Sequence, residues 1–353
     1  MNILICPLDW GLGHATRDIP IINKLIADGH TVIIAADNAP LELLKIEFPQ
    51  LTFICFKSFQ IKYAQGKSQA FSLIFSIPNI LYHILCEHVE LKKIIRQFNI
   101  DTVISDNRYG LWNKKVKCTF ITHQIFIKLP KHWRFLEGFV FMINKWFISK
   151  FDECWIPDFG TFPNLSGDLS HGKILPVNAK YIGILSRFEI SDKLIVKNLL
   201  PDFNILVVLS GPEPQRTIFE RILVEQLKAT AFKTLIVLGK PKSLSKKRIE
   251  IKNEANLVFV NHLPTALLQN AILKAEVVIC RSGYTSVMDL VKLDAKAILV
   301  PTPGQTEQEY LAAYLMQQNY FFSMTQTEFD LNVAIKKYLE FKPDKVFKTL
   351  SGL

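Results

Sequence analysis

Apolar residues along this chain fall into short unbroken runs, each followed by a stretch in which they recur every three or four positions. Asn2 to Leu8 reads as a strand buried on both faces. His14 to Asp28 reads as a helix presenting Ile19, Ile22, Leu25 and Ile26, and Thr31 to Ala36 as a second strand entered after a stop at Gly29. Strand-like runs recur at Leu51 to Phe56, Thr102 to Ser105, Thr119 to Thr122 and Cys154 to Pro157, separated by helical stretches. Such alternation predicts a parallel sheet with helices on both faces. The pattern starts over with "FNILVVLS" (Phe203 to Ser210) and a helix from about Gln215, followed by "KTLIVLG", "NLVFVNHL", "EVVICRSG" and "KAILVPTPG" as successive strands. The fold class read from this is α/β, with two Rossmann-like doubly wound domains.

The length of 353 residues agrees, being too long for one ordinary core. A stretch without a clean period, Tyr181 to Asp202, separates the halves and places a hinge near Ser186 to Pro201. The expected divisions are residues 1–185, residues 186–335, and a C-terminal helix over 336–353 that can pack back on the first domain. In open parallel sheets ligands sit outside the carboxyl ends of the strands, so two such domains are expected to face a central cleft with those ends.

Composition sharpens this in a few respects. Apolar residues are 49% and charged residues 21%, which suits buried cores and excludes extended disorder. Lys and Arg number 42 against 32 Asp and Glu, a net charge of +10 that attracts anionic partners. The basic residues are spread along the chain and no nucleic-acid-binding pattern is present, so nucleic acid is not expected as a partner. The six cysteines form no C-x-x-C pair and read as buried reduced thiols, and the first residues lack a basic leader, which together predict a cytoplasmic protein.

Two segments bear on membranes. Ser68 to Cys86 has no Asp, Glu, Lys or Arg over 19 residues but holds Gln69, Pro78, Asn79 and His83, which favours an amphipathic helix over a membrane span. Lys128 to Phe151 interleaves Lys131, Arg134, Lys145 and Lys150 with Trp133, Phe135, Phe139, Phe141, Trp146 and Phe147. This fits either an interfacial helix on anionic lipid, at the inner face of a plasma membrane, or a core helix with snorkelling lysines.

The candidate chemistry lies just after the strands. In "DWGLGH", Gly11 and Gly13 permit a sharp turn into a helix whose first amides suit negative charge. As a dinucleotide fingerprint the match is incomplete, with Thr16 at the third glycine position. His14, and Asp9 beside it, are candidate bases for deprotonating an alcohol. Arg17, one turn on, can hold an anion or stand in solvent.

In "LSGPEPQRT", Ser210 and Gly211 open a second such turn, with Arg216 as a charge-assisted donor to phosphate. In "CRSGYTSVMD", Arg281, Ser282, Gly283, Tyr284 and Thr285 offer donors to a diphosphate, and Asp289 can accept the hydroxyls of a ribose. In "VPTPGQTEQEY", Gln305, Thr306, Glu307, Gln308 and Glu309 are residue types that read a sugar's hydroxyls, while Thr306 and Glu309 also fit a capping box.

Taken together, "GLGH" after the first strand, a glycine loop opening the second domain, "RSGYTSVMD" and "VPTPGQTEQEY" resemble the glycosyltransferases of the two-lobed GT-B fold. The likeness is to the group containing the N-acetylglucosaminyltransferase of peptidoglycan synthesis and the plant galactolipid synthases (family 28-like). It implies transfer of a sugar from a nucleoside diphosphate, expected to be uridine, to a hydroxyl of a glycan or lipid-linked acceptor, with inversion. His14 would lie near the acceptor, and Ser210, Gly211, Ser282 and Gly283 by the diphosphate. Asp289 stands where that group has a glutamate on the ribose, and Gln308 and Glu309 where it has two glutamines on the donor sugar. Phe259 to Leu263, including His262, would flank the base. The group generally works without a catalytic metal, and no cofactor is implied.

The departures are Asp289 for glutamate, Glu309 for glutamine, and Asp9 with Trp10 where the peptidoglycan enzyme has small residues. The resemblance therefore fixes neither the sugar nor the acceptor. A nucleotide-sugar 2-epimerase and a non-catalytic nucleotide-sugar or lipid-binding protein share the fold and stand as alternatives.

Overall fold

A computed structural model describes residues 1–57, 69–189, 200–240 and 251–344, with the side chains of residues 69–77 and of Ile251 left out of the description. The chain divides into two compact units, Met1–Leu185 and Ser186–Leu353.

Unit 1 runs β1 (Asn2–Pro7), α1 (Leu12–Ala27), β2 (Thr31–Ala36), α2 (Asn38–Glu47), β3 (Thr52–Cys55), α3 (Gln69–Phe98), β4 (Thr102–Asp106), β5 (Lys117–Ile121), α4 (Glu137–Ile148), β6 (Glu153–Ile156) and β7 (Ala179–Tyr181). Its strands lie in the order β3-β2-β1-β4-β5-β6-β7, all parallel. The strand sequences are continuous apolar runs because helices cover both faces of the sheet. Leu4 and Cys6 of β1 pack with Val103, Phe120 and Cys154 on one face. Ile3 and Ile5 pack with Ile22 of α1 and Ile34 on the other, following the two-residue alternation of a strand.

Unit 2 runs β8 (Ile205–Val208), α5 (Gln215–Lys228), β9 (Thr234–Val237), β10 (Ile251–Glu254), β11 (Leu257–Val260), α6 (Thr265–Lys274), β12 (Val277–Cys280), α7 (Tyr284–Lys292), β13 (Ile298–Leu299), α8 (Thr306–Gln317), β14 (Phe322–Ser323) and α9 (Leu331–Glu340). The order is β10-β11-β9-β8-β12-β13-β14. All pairs are parallel except β10 with β11, an antiparallel edge that the sequence pattern did not indicate. One core cluster in this unit joins Val207, Ile279 and Ile298 of the sheet to Phe219 of α5 and Leu331 and Ala334 of α9.

Both sheets therefore have a point at which strand order reverses, between β1 and β4 in unit 1 and between β8 and β12 in unit 2. Loops leaving such neighbours part to opposite faces and leave a crevice between them.

Three expectations are corrected here. Four cysteines, Cys6, Cys118, Cys154 and Cys280, are buried, with burial pushing each thiol up to about 12, but Cys55 and Cys86 are exposed. The stretch 128–151 is not one helix: a short 3-10 turn over Lys131–Leu136 precedes α4. Nor is α4 a core helix, because only Asn144 and Ile148 in it are buried while Phe139, Met142, Ile143 and Trp146 are exposed. Leu81, Tyr82, Leu85 and Val89 of α3 are exposed as well, and Leu81 lines one apolar recess together with Met142, Ile143, Trp146 and Phe147.

Among the described residues no helix is long and apolar enough to cross a membrane. Ser68 and the side chains of residues 69–77 in the charge-free segment, the middle of the expected hinge, and residues 345–353 of the expected C-terminal helix lie outside the description.

Candidate active site

In unit 1 the reversal point brings a histidine, an aspartate and an arginine together. Gly11 is the N-cap of α1 with φ 125°, a left-handed conformation that a side chain would strain, and the space beside it is open. The helix begins at Leu12, so His14 and Arg17 are one turn apart at its start. Asp106 ends β4, directly across the ladder from Pro7 of β1.

These three elements converge. His14 Nδ1 lies 3.0 Å from Asp106 Oδ1. Arg17 Nε donates to Asp106 Oδ2 at 2.6 Å, its Nη2 closes a short contact with Oδ1, and its Nη1 lies 3.1 Å from Nδ1 of His123. Arg17 is thus neither solvated nor open to a ligand, as the sequence left it, but 1% exposed and forked onto a buried carboxylate.

Burial alone would push the Asp106 carboxyl up, but the Arg17 charge, His14 and the hydrogen bonds from both outweigh it and hold the group down at about 2. The carboxylate is therefore ionised at neutral pH. An ionised acceptor beside Nδ1 selects the tautomer that carries its proton there, which leaves the lone pair on Nε2. Arg17 Nη2 also lies 2.9 Å from Nδ1, but its hydrogens have Asp106 to donate to.

Behind this group Asp18 is fully buried, neither carboxyl oxygen has a hydrogen-bond partner, and burial followed by the Asp106 charge raises its pKa well above the ordinary value. A neutral Asp18 next to an ionised Asp106 is the assignment that leaves one negative charge, not two, facing Arg17. Asp9, the other candidate base, accepts from Asn38 Nδ2 at 2.6 Å.

In unit 2 the turns after β8 and β12 carry the second group. Gly211 has φ 96°, and a Cβ there would lie 3.5 Å from Thr302 Oγ1. Gly283 is the N-cap of α7, with no side-chain cap and no atom near the position of a Cβ.

Asp289, buried on α7, accepts from Ser186 Oγ at 2.6 Å and lies 3.6 Å from Arg187 Nε. Burial raises its pKa, with Arg187 and Ser186 pulling the other way. Arg187 is 10% exposed, and its Nε and Nη1 have no hydrogen-bond partner. His262, which follows β11, is pushed down to about 4 by burial and then by the Arg187 charge. It is therefore neutral at pH 7 and able to pair with an uncharged ring. Phe259, half-buried on β11, precedes it.

Several expected ligand residues have other partners. Arg216 is 4% exposed and bonded to Glu213 (2.9 Å from Nε), Glu220 (3.0 Å) and the Leu238 carbonyl (3.3 Å), so its charge is already matched. Arg281 is fully buried and donates to backbone carbonyls, out of reach of a direct contact. Ser282 Oγ donates to the Gln308 carbonyl at 2.8 Å.

Gln308 is buried with both ends of its amide used, accepting from Thr302 N at 2.9 Å and donating to Gln305 Oε1 at 2.5 Å. The anticipated capping box is not formed, because Gln305 and not Thr306 is the N-cap of α8 and makes no side-chain cap bond, while Glu309 Oε1 accepts from Gly304 N at 2.8 Å. These contacts fix the loop around Gly304, where Gln305 and Glu307 are half-buried, as is Thr285 in the first turn of α7. Ser210 is also half-buried, immediately before Gly211.

Sequence reasoning missed Asp106, His123, Ser186 and Arg187. Only Arg187 had a local signal, as the single arginine in the aperiodic stretch assigned to the hinge.

Residues 205–348 match the glycosyltransferase family 28 C-terminal domain. Unit 2 thus carries that family's C-terminal domain, and the chain as a whole has the GT-B fold. Its fold is similar to that of the kitacinnamycin glycosyltransferase, at 12% identity and a TM-score of 0.64, over 99% of this chain and 93% of that one. MurG of Acinetobacter baumannii aligns at 14% identity and TM-score 0.51, over 99% and 92%. The spinosyn rhamnosyltransferase SpnG, solved with thymidine diphosphate, aligns at 12% and 0.59, over 99% and 94%. At such identities these likenesses speak for the fold alone. No curated protein matches its sequence.

Proposed function

We propose that this protein is a glycosyltransferase that moves a sugar, with inversion and without a catalytic metal, from a nucleoside diphosphate to an acceptor hydroxyl. The observation that carries the reading is the Asp106–His14 pair, which leaves a bare Nε2 at the reversal point of unit 1. His14 Nε2 takes the proton from the acceptor O–H as that oxygen bonds to the anomeric carbon. The anomeric C–O bond to the diphosphate breaks, and its electron pair leaves with the diphosphate. Asp9, tied to Asn38, is the lesser candidate for the base.

In unit 2 the open turns at Gly211 and Gly283 suit the diphosphate, as helix-start backbone does, and Arg187 brings a cation whose Nε and Nη1 have no hydrogen-bond partner. Asp289 would take the ribose by exchanging Ser186 for a sugar hydroxyl, and neutral His262 with Phe259 would meet the base, read as uracil. Gln305, Glu307 and Thr285 line the side left for the sugar. The test is thermal shift across uridine and thymidine diphosphates and their sugars, since a ligand that binds only the folded chain raises its midpoint. One series is expected to stabilise the protein, and Asp289→Ala to abolish both that shift and slow hydrolysis of the nucleotide sugar. No stabilisation by any nucleoside diphosphate sinks the reading.

The exposed apolar side chains of α3 and α4 favour a lipid-linked or lipid acceptor reached from an anionic bilayer on which unit 1 rests, at the inner face of a membrane. Lys150, 4.2 Å from the Trp146 ring centre, keeps a cation at this face. Trp146→Ser with Phe139→Ser is expected to lower co-sedimentation with phosphatidylglycerol vesicles about tenfold or more while leaving the melting midpoint unchanged, because both residues are exposed. Undiminished vesicle binding removes the lipid-surface part of the proposal.

A further inference from the structure

Four buried arginine side chains stand out in this molecule, and three of them face a carboxylate: Arg17 has Asp106, Arg108 has Glu87 and Arg216 has Glu213 and Glu220. The fourth, Arg281, has none among the described residues. Its side chain is 0% exposed. Nη1 donates to the carbonyls of Val300 and Pro301, both at 3.2 Å, and Nη2 to the Gln215 carbonyl at 3.0 Å and Gln326 Oε1 at 2.7 Å. Nε has no partner, and the guanidinium carbon lies 4.2 Å from the centre of the Phe219 ring.

A guanidinium without a counter-ion is costly to bury. The strain on the charged form is visible in its pKa, which burial brings down to about 9. The surrounding carbonyls need donors, but neutral amides can supply those; what they cannot supply is a full positive charge. The place of that charge is specific. Gln215 opens α5 just beyond the Gly211 turn, Val300 and Pro301 lead into the Thr302 loop, and Ser282 and Gly283 follow Arg281 directly. The guanidinium thus ties together the backbone around both turns that leave the reversal point of the sheet.

We infer that Arg281 is a positioning residue that serves the donor's diphosphate from beneath, holding the two turns and supplying through the protein an unmatched charge that the ligand's anion completes. This rests on the reading that unit 2 binds a nucleoside diphosphate sugar. It differs from direct ligation, because no part of Arg281 reaches the surface. The carboxylate that would ordinarily sit beside such a group is absent because the ligand brings the negative charge.

A charge acting at a distance through a poorly screening interior discriminates by ligand charge, whereas a purely structural role does not. Affinities of the wild-type protein, Arg281→Met and Arg281→Gln for uridine and thymidine, their monophosphates and their diphosphates, by calorimetry, separate the two. In Arg281→Met the nucleoside affinity is expected to stay within about twofold, the monophosphate to weaken about tenfold and the diphosphate about 30- to 100-fold. An equal loss across the three ligands overturns the inference. If Arg281→Met does not fold, Arg281→Gln carries the test, since it keeps donors for the carbonyls and loses the charge. A diphosphate-to-nucleoside preference reduced about tenfold or more supports the inference, and a preference unchanged from wild type overturns it. Failure of the wild-type protein to bind either diphosphate would instead strike the parent reading.

Discussion

Replacing His14 with alanine is expected to slow sugar transfer by about 10²- to 10⁴-fold, while the affinity of unit 2 for a nucleoside diphosphate stays the same. The asymmetry follows from the placement of the groups. His14 sits at the start of α1 in unit 1, whereas Asp289, Arg187 and His262 lie together in unit 2. Asp106→Asn is expected to lose activity in the same range, for a different reason. The amide keeps the shape but can offer its NH2 to Nδ1, and the proton then moves to Nε2, where a base cannot use it. Turnover at saturating donor, beside diphosphate binding by calorimetry, checks both. Full activity in His14→Ala would return the role of base to Asp9.

Arg17→Met is expected to cost about 3–5 kcal/mol of stability, the cost of leaving a buried carboxylate without its partner. Asp106 is 0% exposed and Arg17 donates to both of its oxygens, so water cannot replace the lost donors without opening the sheet. The effect depends on pH with a definite sign. In the wild-type protein the Asp106 carboxyl is held down at about 2, below its unfolded value near 3.9, so its contribution is present above about pH 4 and is lost as pH falls through 2. Without Arg17 the burial that Arg17 outweighed dominates, and acid unfolding begins at higher pH. Urea unfolding of both proteins between pH 3 and 8 measures this. A curve for Arg17→Met that merely runs parallel to wild type would mean that Asp106 does not depend on Arg17.

Much of the architecture was written locally. The runs of β1, β2, β8, β9 and β12 are apolar without interruption because both sheet faces are covered, and the glycines after β1, β8 and β12 announce turns. The antiparallel β10 was not legible, since Ile251–Glu254 is four residues long, three of them charged or amide, and lies on an edge.

The site was legible in part. His14 was visible from its loop, but Asp106 is 92 residues away in sequence, and only the sheet register, which pairs it with Pro7, brings it to the histidine. Arg216 and Arg281 occupy the loop positions that phosphate ligands occupy, yet sequence position does not report burial. Arg216 has two glutamates within a turn of it, and Arg281 points inward from the end of β12. For α4, an interfacial and a core helix give the same spacing of aromatics, and only the neighbours in space separate them.

The single turn of α1 that carries both His14 and Arg17 has one more effect, on how descent can alter this protein. Arg17 and Asp106 hold the sheet together whether or not any reaction takes place, so selection for folding alone preserves them. His14 touches the same carboxylate but is partly exposed, and its loss leaves the ion pair in place. In a lineage that abandoned sugar transfer, the arginine and the aspartate would persist as relics of the fold, and the histidine would be the first to drift. If His14 is the base proposed above, the residue expected to mark a working transferase among relatives of this chain is the histidine at that one position.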